Sequence, residues 1–222
     1  MAAAVTLKDG RVLELPTTIE SPRPKVTLIS KNIQHPDASP IHLENHDDLP
    51  QDGRLSFVLK TEIPDTFPRS EKIEVAADDS SFNVLLSVED GNLVLQDVRS
   101  VLAILDPSKF GASAFGLLRF RPVTADRLEG DWQPLVSLVR VPSLNGVHCP
   151  SEPNQQCTLK GSNLFLIESI ATDAEFKHAV PITAGLTDTN VTVPHIEGTV
   201  FYIKLRDDPA NANKVVLPPL PE

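Results

Sequence analysis

Residues able to do chemistry are few in this 222-residue chain, and they are scattered. His35, His42 and His46 fall closest together, with Asp47 and Asp48 directly after them. On an extended strand His42 and His46 share a face, and two imidazoles beside a carboxylate make a donor set for a divalent metal. Their spacing is neither H-x-H nor H-E-x-x-H, so solvated loop residues are the preferred reading and no metal ligand is assigned. His148, His178 and His195 form no constellation. Acidic pairs stand at Asp47-Asp48, Asp78-Asp79 and Asp207-Asp208. Calcium takes several hard oxygens from one loop, and none of the pairs follows D-x-D-x-D-G, so ordinary turns are expected. Ser113 in "FGASAFG" lacks the G-x-S-x-G elbow, and no phosphate-cradling glycine loop occurs. No catalytic residue and no cofactor are expected.

The two cysteines, Cys149 and Cys157, bracket "PSEPNQQ". That separation spans a hairpin loop and is not a C-x2-C redox or zinc spacing. A structural disulfide is expected, worth about 2.6 kcal/mol on the chain-entropy model, and with it an oxidising compartment. Pro150 and Pro153 stiffen the loop it would close. Trp132 is the lone indole and Tyr202 the lone tyrosine, and both are candidate ligand-stacking residues. An exposed Trp132 would stack on a sugar ring, whereas a buried one anchors a strand start, and the core reading is preferred. Asn190 opens an N-x-T sequon, which matters only in a eukaryotic secretory host.

The elements that position these residues read as strands. Twenty prolines against ten glycines disfavour a mainly helical protein, because proline breaks helix interiors yet sits well at turns and strand ends. "VTLKDGRVLELP" reads as a strand pair turning at Lys8-Asp9-Gly10, and "SPRPKVTLIS" as a proline-led edge strand. β-rich runs follow in "SPIHLEN", "GRLSFVLKTEI", "EKIEVAA", "FNVLLSVED" and "NLVLQDV", separated by "HDDLPQDG", "PDTFPRS", "DDSS" and "EDGN", which read as turns. One segment departs: Val98, Val101, Leu102 and Leu105 have helical spacing after Asp97, a candidate N-cap, and Pro107 would end the helix. In "GLLRFRPV", Leu118, Phe120 and Pro122 share one face, with Arg119 and Arg121 on the other. The expected class is all-β: tandem immunoglobulin-like β-sandwich domains, with one short crossing helix in the first. Residues 1–21 are expected to be a strand segment from a preceding module or linker, 22–141 a β-sandwich domain, and 142–222 a smaller β domain. "LPPLPE" reads as a chain-end or linker tail in preference to a polyproline ligand.

"CTLKGSNLFLIESI" resembles the second strand of IPT/TIG domains, immunoglobulin-like modules, with Leu159, Gly161, Asn163 and Leu164 at the matching positions. The resemblance covers about eighty residues by its motif. "DWQPLVSLVRVP" and "VFYIKLRDDP" look like the C-terminal region of large, uncharacterised bacterial surface or secreted proteins. That likeness implies an extracytoplasmic, non-catalytic module and supplies no active site.

Charge narrows the partners. A net charge of −10 with no lysine or arginine cluster repels phosphate backbones, so nucleic acid is not expected. No run approaches the roughly 18 apolar residues of a membrane helix, and the N-terminus has no basic stretch followed by a long apolar one. A fragment of something longer is the preferred reading. The expected function is a non-catalytic structural or adhesive module of a larger extracytoplasmic bacterial protein, meeting protein or glycan at the cell surface. The alternative is a carbohydrate-binding module accompanying an enzyme.

Overall fold

The computed structural model describes residues 2–16, 22–36, 39–152, 155–196 and 198–217. Its strands in chain order are β1 (Ala2–Thr6), β2 (Val12–Pro16), β3 (Lys25–Gln34), β4 (Ile41–His42), β5 (Asp48–Pro50), β6 (Arg54–Ile63), β7 (Lys72–Ala77), β8 (Asn83–Leu86), β9 (Leu93–Leu95) and β10 (Ser100–Leu105). They continue as β11 (Gly116–Val123), β12 (Gln133–Val139), β13 (Ser143–His148), β14 (Cys157–Ser162), β15 (Ile167–Ala171), β16 (Val180–Pro181), β17 (Asn190–Val193), β18 (Val200–Leu205) and β19 (Asn213–Val216). Among the described residues the helical pieces are two short 3-10 turns, Pro107–Phe110 and Leu164–Leu166. The chain is all-β.

β1 and β2 form a separate hairpin that turns where Gly10 takes φ +85°, closed by Leu7 N–H donating to the Arg11 carbonyl at 2.8 Å. The end of the expected opening segment, residues 17–21, and the tail 218–222 lie outside the described residues. The first core forms between a four-stranded sheet, β3-β6-β10-β9, and a five-stranded sheet, β5-β12-β11-β7-β8. Alternation drives it: Leu55, Phe57 and Leu59 turn inward from β6, and Leu118 and Phe120 do so from β11. The Phe57 and Phe120 rings meet at 5.9 Å, within the range of favourable aromatic packing. A second core lies between the sheets β13-β14-β17 and β16-β15-β18-β19-β4, with Val147, Leu159, Val193, Ile170, Phe201 and Ile203 buried in it. Ile41, from early in the chain, belongs to this second core, because β4 pairs with β19 before the chain returns to β5.

Two local expectations are corrected. The crossing helix is strand β10: Val101, Ala103 and Leu105 alternate inward, while Val98 is 70% exposed. Asp97 caps no helix. Its Oδ1 accepts from the backbone N–H of Arg99 and Ser100, the same carboxylate chemistry used to fold a turn into a strand. Pro107 opens a 3-10 turn whose Ser108 N–H donates to Asp106 Oδ1. The second correction falls in "HDDLPQDG", read as a turn. Its Asp48, Leu49 and Pro50 are a buried strand, β5, pairing in parallel with β12. A buried aspartate at its start hid the strand from any reading of apolar alternation.

Candidate functional site

Trp132 stands just before β12, half-buried, and the outward side chains of β11 decide what its ring meets. Arg119 and Arg121 place their guanidinium carbons 4.4 and 4.3 Å from its ring centroids, cation–π contacts that occupy an otherwise stackable aromatic surface. Each arginine is fixed from below. Arg119 pairs with Asp78 at 3.3 Å and donates to Ser80 Oγ at 2.9 Å. Arg121 donates to Glu74 Oε2 at 2.8 Å and pairs with Glu129, while Asn83 Nδ2 donates to the other Glu74 oxygen at 2.7 Å. The arrangement follows from the inward Leu118-Phe120-Pro122 face of the same strand, which turns both arginines outward.

Beside the ring runs an open groove of about 580 Å³, lined among others by Lys31, Asp47, Asp78, Leu117, Gln133 and Ser137. Its wall is pinned across the two sheets. Gln133 Nε2 donates to the Val26 carbonyl at 2.8 Å, and Lys31 Nζ donates to the Leu135 carbonyl at 2.7 Å while pairing with Asp47 at 2.8 Å. The groove therefore presents both charge signs and an amide, with Lys31 and Gln133 already bonded across the sheets. Tyr202 is not part of it. That residue is half-buried on β18, in the second core's sheet, opposite Ala171 and Lys214.

Cys149 and Cys157 are joined by a disulfide, with Cα atoms 4.3 Å apart at the open end of the β13–β14 hairpin loop. Cys157 is buried, and its Sγ accepts from the Ile196 N–H at 3.2 Å, so the bridge is tied into the second core as well as closing a loop. In "CTLKGSNLFLIESI", Gly161 lies within β14, where a Cβ would stand 2.3 Å from the Ser143 carbonyl oxygen. The glycine thus serves a close approach of two strands. The turn belongs to Asn163, at φ +56°, which leads into the Leu164–Leu166 3-10 turn.

His42 is exposed at the end of β4, and His46 lies beyond that strand. Among the described residues no group of three or more His, Cys, Asp or Glu side chains is gathered to hold a metal. Asp79 stays in a turn as expected, its carboxylate held below the usual range by the Ser81 hydroxyl and N–H.

The second feature joins the two cores. Arg140, just after β12, donates through Nε and Nη2 to the two oxygens of Asp207 at 2.8 and 2.6 Å, and the Arg140 backbone N–H adds a third bond at 2.9 Å. The Asp207 side chain is only 2% exposed, and its bond holds the Arg140 guanidinium still more firmly protonated. Phe115 covers the guanidinium at 3.9 Å. Sequence reading passed over this pair: "LRDDP" looks like a solvated turn, and the one available signal was an arginine between two apolar strands. No protein-family model and no characterised protein sequence matches the chain.

Proposed function

We propose that the chain is a non-catalytic structural or adhesive module of a larger extracytoplasmic protein, built of immunoglobulin-like sandwiches that hold loops and sheet faces at a fixed spacing. The observation that carries this reading is the fastening of one core to the other. The bidentate Arg140–Asp207 pair, its carboxylate buried, crosses between them. The chain itself leaves the first core to add β4 beside β19 in the second, where the Glu44 N–H donates to Asn213 Oδ1 at 3.0 Å before the chain returns to β5. Such fixed joints suit a spacer, since relative motion is the default for modules with small contacts. The Cys149–Cys157 bridge supports an oxidising location.

Alkylation and intact mass of denatured, unreduced protein from its native host tests this. Both thiols should stay blocked until reductant is added. Free alkylation of both would remove the location and the adhesive role together.

A second reading, glycan binding, draws support from the groove with Trp132 at its edge and Lys31, Asp47, Gln133 and Ser137 along it. It predicts that a panel of soluble glycans raises the melting temperature of the wild type and not that of Trp132→Ala. The two guanidiniums on the ring favour the spacer reading over this one.

A further inference from the structure

Asp48 on β5 is fully buried, and no cationic side chain among the described residues pairs with it. Asn45 Nδ2 donates to its Oδ1 at 2.8 Å, and its Oδ2 has no hydrogen-bond donor among the described residues. The carboxyl of Asp208, which follows β18 in the second core's sheet, stands within hydrogen-bonding reach of it. Asn211 Nδ2 in turn donates to the two oxygens of Asp208 at 3.1 and 2.9 Å.

Two carboxylates at contact repel unless a positive charge lies between them. The charged neighbours do not provide one. Asp47 adds a further negative charge and its Oδ1 is bound to Lys31, while Asp207 is taken up by Arg140. Asn45 and Asn211 offer the carboxyls their NH2 groups and not their oxygens, and no third carboxylate completes a metal donor set among the described residues. What the geometry lacks is therefore a proton.

We propose that Asp48 and Asp208 share one proton across the junction, and that this proton is a pH-operated fastening between the two sandwiches. Held, it supplies the hydrogen bond that the orphan Oδ2 of Asp48 needs. Lost, it leaves two facing anions that loosen the joint. Burial first, and the facing Asp208 second, push Asp48 up to about 7, so the switch falls near neutral pH. The sign follows: the contribution is complete below the ordinary aspartate value of 3.8 and disappears as pH rises through about 7.

Amide hydrogen exchange on the full chain, corrected for intrinsic rates, tests the switch at about pH 5.5 and about pH 8.5. In the wild type, protection of residues 44–50 and 206–213 should fall by about tenfold or more at the higher pH. In Asp48→Asn it should fall no further than that of β6, because the amide donates permanently to Asp208, and Asp208→Asn should behave alike. Unchanged protection of β6 shows that each variant is folded. An equal fall in the variants, or none in the wild type, overturns the proposal. So does calcium restoring protection at about pH 8.5 in the wild type alone, which would make the pair a cation site.

Discussion

Glu71 is a carboxyl with no company. It is 1% exposed, neither of its oxygens has a partner among the described residues, and burial alone pushes it up to about 7 from 4.5. A carboxyl whose folded value is raised leaves the protein most stable below the unfolded value and weakens it as pH climbs through the folded one. Above neutrality Glu71 should therefore cost on the order of 3 kcal/mol. Glu71→Gln keeps the shape and removes the charge. Urea denaturation should show the variant more stable than the wild type at about pH 8.5 and nearly equal at about pH 5. Equal stability at both values would mean that water reaches the carboxylate. Nothing in "EKIEVAA" marks this residue, just as nothing in "HDDLPQDG" or "LRDDP" marks Asp48 or Asp207. A carboxylate beside a turn is solvated far more often than buried, and only the packing of distant strands decides otherwise. The outward arginines of β11 were legible, because strict alternation fixes which way a strand residue points. Their meeting with Trp132 was not, since that depends on how β11 lies beside β12.

At the level of elements, β14 rests on a glycine that no other residue can replace without movement. A Cβ at Gly161 would sit 2.3 Å from the Ser143 carbonyl oxygen and 2.9 Å from Leu164 Cδ2. The first obstacle is backbone, opposite a register shift in β13, so relief requires the strand pair to open. Gly161→Ala should lower stability by about 1–3 kcal/mol, read as an earlier denaturant midpoint. An unchanged midpoint would show that β13 yields freely. The sequence singled this glycine out by its place in "CTLKGSNLFLIESI", and the register shift of β13 lies directly opposite it. Strands such as β6 and β11 were legible because their residues alternate between the core and the outer face, and β7, buried from Ile73 to Ala77, because its run is rich in β-forming residues between two turns. β10 was not. Val98, Val101, Leu102 and Leu105 fit a helical stripe as well as Val101, Ala103 and Leu105 fit a strand, and Ala103 gave too weak an apolar signal to choose. β5 was invisible for a different reason. It is three residues long and begins with a buried aspartate, and it owes its existence to parallel pairing with β12.

For the molecule as a whole, the proposed role as a spacer makes the joint between the cores matter more than either core, because such a role is defined by the geometry it keeps. Arg140 reaches that joint from the first sandwich and Asp207 from the second, and three hydrogen bonds connect them. A buried ion pair contributes little beyond what well-packed apolar groups would, yet removing one partner strands the other charge. Arg140→Ala leaves Asp207, 2% exposed, with the backbone N–H as its remaining described donor from residue 140. The expected loss is about 3–5 kcal/mol, measured by chemical denaturation. If the pair fixes the angle between the sandwiches, small-angle scattering of Arg140→Ala should also show a larger radius of gyration while the molecule is still folded. Adding Asp207→Asn should recover much of the stability, because the buried charge is gone. It should not recover the compactness, because the neutral amide has no guanidinium to hold. That split separates the two roles of the pair: stability answers to the stranded charge, and geometry to the bidentate bond. Should Arg140→Ala keep both the midpoint and the wild-type radius, the joint is held by the β4–β19 pairing instead, and a chain that leaves one sandwich to add a strand to the other would be what sets the spacing.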